Sequence, residues 1–145
     1  MRRRDFLRGI PLSAPFILML EVPAEARLSS GIDELVRELG FTLEIPLIKA
    51  VAGSGALLNV ARETLSASEF TQISEFMSGV ERLIQQADNV IQTPMPKSMG
   101  EMPRVMDELG LPAGSTDKFK TFALQYIRGR GGRKIVGLLQ RAWQA

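Results

Sequence analysis

The sequence contains no cysteine and no histidine. Without cysteine it can form no disulfide, no thiolate nucleophile and no zinc finger. Without histidine it cannot assemble a Ser-His-Asp or Cys-His catalytic set, and it lacks the commonest transition-metal ligand. What remains is a chain of 145 residues, 45% apolar and 23% charged. That composition suits one globular domain and is too apolar for disorder over most of the chain.

Carboxylates, lysines and hydroxyls are the side chains left for chemistry. The acidic pairs at 33–34 and 107–108 fall at predicted helix starts and exposed faces, where solvation is the default role. The glycine-serine-glycine run at 53–55 lacks the Lys-Ser/Thr that a phosphate-binding loop needs. We therefore expect no enzyme activity, no catalytic residue and no cofactor.

The N-terminus has the layout of an export signal. Arginines precede an uncharged stretch at 9–20, and an Ala-Glu-Ala sequence closes the segment at 24–26. Twelve residues cover roughly 18 Å as a helix, short of the roughly 30 Å needed to cross a bilayer. We predict a signal over residues 1–26, cleavage after Ala26, and a single mature domain over 27–145. The residues that resemble the twin-arginine consensus are Arg3, Arg4, Phe6 and Leu7.

Apolar residues recur at helical spacing throughout the mature chain, and no segment alternates with period two. This pattern predicts an all-α fold, a compact bundle of six to seven short helices. The predicted helices span residues 31–40, 46–65, 66 onward, 79–91, 103–109, 113–128 and 133–143.

Cap residues set several of these boundaries. Ser30 is the expected N-cap of the first helix and Gly40 its terminator. Ser-x-x-Glu sequences at 66–69 and 78–81 predict two capping boxes. Two glycines inside the helix at 46–65 cost roughly 1 kcal/mol each relative to alanine. We therefore expect a neighbouring helix to approach closely over them.

The C-terminal part of the chain is basic. From residue 118 onward there are seven basic residues and no acidic one. This end could dock an acidic protein, a lipid headgroup surface or nucleic acid; the alternative is a helix–helix turn whose arginines complement a helix dipole. Nucleic acid is the weaker choice because the aromatic residues are not interleaved with the arginines. The residues predicted to contact a partner are Arg128, Arg130, Arg133, Lys134, Arg141 and Trp143.

A run of methionines in the middle of the chain offers a different hypothesis. Thioethers are soft ligands that select Cu(I), and a periplasmic protein without cysteine or histidine could bind copper through them. The alternative is that methionine fills irregular gaps in the core beside a proline-rich segment. The candidate ligands are Met95, Met99, Met102 and Met106.

Small-residue and cap motifs occur in a fixed order at 53–61 (GSGALLNVA), 65–70 (LSASEF), 109–111 (LGL), 131–132 (GG) and 136–139 (VGLL). In this order and spacing they resemble the bacterial VcgC/VcgE family, catalogued as domain of unknown function 2780. The resemblance covers about residues 31–145. It implies a small helical domain, often behind an export signal, and it supplies no catalytic residues.

Together these features predict an exported, non-enzymatic helical protein that acts as an interaction or accessory subunit in the bacterial envelope. The partner is expected to be another protein, within a larger complex or at an anionic surface. Periplasmic Cu(I) binding and nucleic-acid binding remain the alternatives.

Overall fold

Seven α-helices and one short 3-10 turn make up the described part of the chain, with no β-strand. The computed structural model describes residues 24–112 and 114–144, with side chains from residue 31 onward. The predicted all-α fold is confirmed. The helices are α1 (Ala24–Leu43), α2 (Leu47–Thr64), α3 (Ala67–Phe76), α4 (Val80–Val90), α5 (Met102–Glu108), α6 (Ser115–Gly129) and α7 (Arg133–Gln144), and the 3-10 turn Met99–Glu101 directly precedes α5.

Helix α2 lies at the centre of the bundle. Every residue from 52 to 61 is buried, and α2 contacts each of the other six α-helices. Its glycines allow this. A Cβ on Gly53 would come within 2.5 Å of the Phe119 ring, and one on Gly55 within 2.8 Å of the Leu83 carbonyl oxygen. The expected close approach over these glycines is confirmed, and it offsets their low helix propensity.

Helix α1 is longer than predicted at both ends. It continues past Gly40 to Leu43. Gly40 does not terminate it. The lack of a side chain at Gly40 instead allows close packing on α2, since a Cβ there would lie 3.4 Å from the Cβ of Ala50. The residue that ends α1 is Glu44, which adopts a left-handed backbone with φ 57.

One of the two predicted capping boxes is correct. The backbone N–H of Glu69 donates to Ser66 Oγ (3.2 Å), and the N–H of Ser66 donates to Glu69 Oε1 (3.0 Å). The second prediction, at 78–81, is wrong, since the N-cap of α4 is Gly79 with φ 93 and no side-chain bond. Ser30 lies inside α1, so it is not an N-cap either.

The proline-rich segment after α4 is not helical, as predicted, and α2 holds it in place. The buried amide of Asn59 donates through Nδ2 to the carbonyl of Pro96 (2.8 Å). Arg62 donates to Asn59 Oδ1 (2.6 Å) and to Glu81 on α4 (2.8 Å). This polar chain joins the segment to the two most closely packed helices.

Residues 1–23 of the predicted export signal, including Arg3, Arg4, Phe6 and Leu7, lie outside the described residues. The proposed cleavage point after Ala26 falls in the first turn of α1. Both stay predictions.

Candidate interaction surface

Residues 128–134, here called the basic turn, join α6 to α7. The N–H of Gly132 donates to the Ile127 carbonyl (3.0 Å), and the N–H of Gly131 donates to the carbonyl three residues before it (3.1 Å). With Gly131 left-handed at φ 82, these bonds form a Schellman motif. Gly132 is buried, and a Cβ there would come within 2.6 Å of the Phe76 ring. The backbone of the turn is therefore fixed.

One arginine of the basic turn is neutralised by α1. Arg130 donates to Glu34 Oε1 (3.2 Å), and its guanidinium lies 4.5 Å from the centre of the Tyr126 ring. The Tyr126 hydroxyl donates to the same carboxylate oxygen (2.9 Å). Burial, followed by this bond, raises the pKa of Tyr126 to about 12. These three side chains fasten α6 to α1 and pair the charge of Arg130 with an acid of the same chain.

A second predicted contact residue is also paired within the chain. Arg141 on α7 forms an ion pair with Glu69 at the start of α3. The pKa of Glu69 is lowered, first by the bond from the Ser66 backbone and then by Arg141. The same carboxylate therefore caps α3 and binds α7, and Arg141 is engaged in the fold.

Three cations of the basic turn are left without such a partner. Arg128, Arg133 and Lys134 are exposed. None of their side chains makes a hydrogen bond or ion pair with another residue of the described ranges 24–112 and 114–144. A rigid turn thus presents three positive charges with no acid paired to them. Of the six residues predicted to contact a partner, these three are the exposed cations whose side chains have no paired acid among the described residues.

Trp143 does not belong to this surface. Its side chain is 3% exposed, and its indole N–H donates to the Leu57 carbonyl on α2 (2.9 Å). The expectation that Trp143 contacts a partner is corrected here: the residue joins α7 to the core. Helical spacing indicates the burial of Trp143, because Trp143 follows the core residue Leu139 by four positions on the apolar face of α7.

The methionines proposed as copper ligands pack with the core. Met102 and Met106 are 0% and 4% exposed, and Met95 and Met99 are partly buried against the same cluster. This placement matches the gap-filling alternative. Within the residues that the structure describes, no group of three or more acidic side chains is arranged to hold a metal ion.

Nothing in sequence spacing indicates the pairs that neutralise Arg130 and Arg141. Their acidic partners lie 96 and 72 residues earlier in the chain. Glu34 and Glu69 were expected only as residues of helix starts, and the packing of α1 on α6 and of α3 on α7 gives them their second role.

Among the described helices, no single one is both long and apolar enough to cross a membrane. A bent pair, residues 31–43 and 47–64 at an angle of 119°, passes the same test by length and composition only.

The family model described as "Protein of unknown function VcgC/VcgE (DUF2780)" matches residues 20–144. The chain belongs to this family. The resemblance first seen in the sequence motifs is therefore confirmed. Those motifs form the close contacts of α2, the cap of α3, the turns after α5 and α6, and part of α7. Neither the curated proteins nor the solved structures compared with this VcgC/VcgE family member gave a match.

Proposed function

We propose that this VcgC/VcgE family member is an exported, non-enzymatic interaction subunit of the bacterial envelope, and that its basic turn docks on an acidic surface of a partner protein. The observation that carries the proposal is the contrast within the turn. Arg130 is neutralised by Glu34, whereas Arg128, Arg133 and Lys134 project from a fixed backbone without a paired acid.

A rigid turn favours binding for two reasons. Its backbone needs no ordering when a partner arrives, which lowers the entropic cost of association. Like charges held close together also repel one another, and an acidic surface relieves that repulsion while steering encounter.

An acidic protein is favoured over nucleic acid. Binding of single strands commonly uses exposed aromatic rings as stacking platforms. Tyr126 is engaged by Arg130 and Glu34, and Phe119 is 1% exposed in the core. The ring of Phe76 packs against Gly132 and is only 37% exposed, so the described residues offer charge beside one partly covered ring rather than a series of stacking platforms.

Capture from an envelope fraction tests the binding part. We expect the tagged full chain to retain a partner that is lost when Arg133 and Lys134 are both changed to Gln, and that elutes as salt rises. The matched control changes Lys97 and Lys118 to Gln, which removes the same charge from exposed positions elsewhere. Equal capture by both double variants, or retention independent of salt, would refute docking through the basic turn.

Export is supported by the N-terminal sequence and by the fold class. The twin-arginine route carries folded passengers, and helical proteins with mostly local contacts fold quickly. Changing Arg3 and Arg4 to Lys should hold the chain in the cytoplasm, whereas the same change at Arg2 and Arg8 should not. N-terminal sequencing of the exported chain should begin at Arg27. A chain found only inside the cell with its leading residues intact would contradict this part.

A further inference from the structure

The turn between α1 and α2, residues 41–48, exposes an unusual concentration of apolar side chains and is here called the apolar turn. Phe41 is 86% exposed, Leu47 53% and Ile48 58%. Of the large apolar side chains that the structure describes, only Phe76 is otherwise exposed, at 37%. Three of the four large apolar side chains that are exposed among the described residues are thus gathered in the apolar turn.

The apolar turn has a fixed shape. The Ile45 N–H donates to the Gly40 carbonyl (3.0 Å) and the Glu44 N–H to the Phe41 carbonyl (3.3 Å), again a Schellman motif. The equivalent left-handed positions after α5 and α6 are glycines, Gly110 and Gly131. Here the position is Glu44, which pays a conformational penalty of about 1 kcal/mol for its side chain. Strain of this kind tends to persist where a surface is used.

A projecting ring and a hollow lie side by side in the apolar turn. Phe41 borders a shallow hollow of about 810 Å³, lined also by Gly40, Ile45 and Leu47. A surface that carries both a projection and a recess can pair with its own copy across a two-fold axis, because the contact uses the same patch on both molecules.

The apolar area agrees with a dimer. Taking about 200 Å² for a large apolar side chain, the exposed fractions of the three residues give roughly 400 Å² per copy. Two copies would bury about 800 Å². A standard interface of about 1,600 Å², a little over half of it non-polar, contains roughly 900 Å² of apolar area.

The charges at the hollow also favour a second copy. The charged residues that line it are Arg37 and Glu44, one of each sign. A two-fold axis that passes between these two residues would bring Arg37 of one copy toward Glu44 of the other, which makes the rim self-complementary. An anionic lipid surface would instead select a rim with excess positive charge.

We propose that a second copy of this chain covers the apolar turn, so that the protein forms a symmetric dimer through residues 41–48. The dimer is independent of the basic turn, and its loss would leave the proposed partner docking untouched.

Sedimentation velocity of the full chain over a concentration series tests the dimer. Phe41→Lys places a charge in the apolar contact on both copies, and we expect it to raise the dimer dissociation constant at least about 100-fold. Gln86→Lys adds the same charge at an exposed position of α4 and should leave the dissociation constant unchanged. Circular dichroism of both variants checks that the fold is retained.

The absence of cysteine allows a second measurement. Thr42→Cys should form a disulfide-linked dimer under mild oxidation, and Gln86→Cys should not. A chain that stays monomeric to millimolar concentration would overturn the proposal, whether or not it binds vesicles of anionic lipid. A dimer that survives Phe41→Lys and does not cross-link through position 42 would overturn it equally.

Discussion

A methyl group at position 55 should destabilise the fold although alanine is the better helix former. A Cβ on Gly55 would overlap the Cβ of Ala87 and lie 2.8 Å from the Leu83 carbonyl oxygen, both on α4. The backbone oxygen cannot rotate away, so α2 and α4 must separate along their contact. Overpacking of this kind costs about 1–3 kcal/mol, and helix propensity returns at most about 1 kcal/mol. We expect Gly55→Ala to lower the free energy of unfolding by about 1–2 kcal/mol.

Gly137 supplies the matched control. It lies inside α7, it is exposed, and a Cβ there would meet no atom within 4 Å. Gly137→Ala should therefore raise the free energy of unfolding by about 0.5–1 kcal/mol. Urea unfolding followed by the fluorescence of Trp143, the single tryptophan, measures both variants. If the two substitutions change stability in the same direction and by similar amounts, close helix packing is not the reason for Gly55.

Three further predictions use the same protein. Glu44→Gly should raise the free energy of unfolding by about 1 kcal/mol in urea, because it relieves a left-handed backbone; no gain would mean that Glu44 is not strained. Ser54→Ala should be neutral or stabilising by about 1 kcal/mol in the same assay, since the Ser54 hydroxyl is buried without a hydrogen-bond partner among described residues; a clear loss would reveal a hidden bond. The single tyrosine, Tyr126, should titrate near pH 12 by ultraviolet absorbance, and Glu34→Gln should lower that midpoint toward 10. Because its folded pKa is raised, Tyr126 contributes stability below pH 10 that is lost as the pH rises through about 12. If Glu34→Gln leaves the titration midpoint of Tyr126 unchanged, the bond to Glu34 is contradicted.

The sequence was informative where structure depends on near neighbours. Helix α2 follows from its apolar spacing and from Pro46 at its N-cap, and the capping box at 66–69 involves residues only three apart. The similar sequence at 78–81 failed because Gly79 adopts a left-handed conformation and begins α4 one residue later. A local motif therefore predicts a cap only when no neighbouring glycine offers the chain another way to turn.

The candidate surface was predictable only in part, because exposure and pairing depend on packing between distant segments. Composition identified the basic end of the chain. It could not separate Arg130 and Arg141, which are paired by distant acids, from Arg133, which is not. The apolar turn was missed for a related reason: Leu47 matches the helical apolar spacing of α2, Phe41 lies just after the predicted end of the first helix at Gly40, and only the packing shows that both are exposed.

The basic turn lies at the end of α6, whereas the end of α1, where the apolar turn begins, lies near the start of α6. Glu34, in the middle of α1, contacts the end of α6 beside the basic turn, whereas Leu43 at the end of α1 lines a hollow with Phe122 nearer the start of α6. A dimer through the apolar turn would therefore leave both basic turns accessible. Two weak electrostatic contacts on one rigid particle strengthen binding to an acidic surface that repeats at the matching spacing, without any new contact. The two proposals are thus separable by experiment, yet in combination they turn three surface charges per copy into a bivalent binding unit.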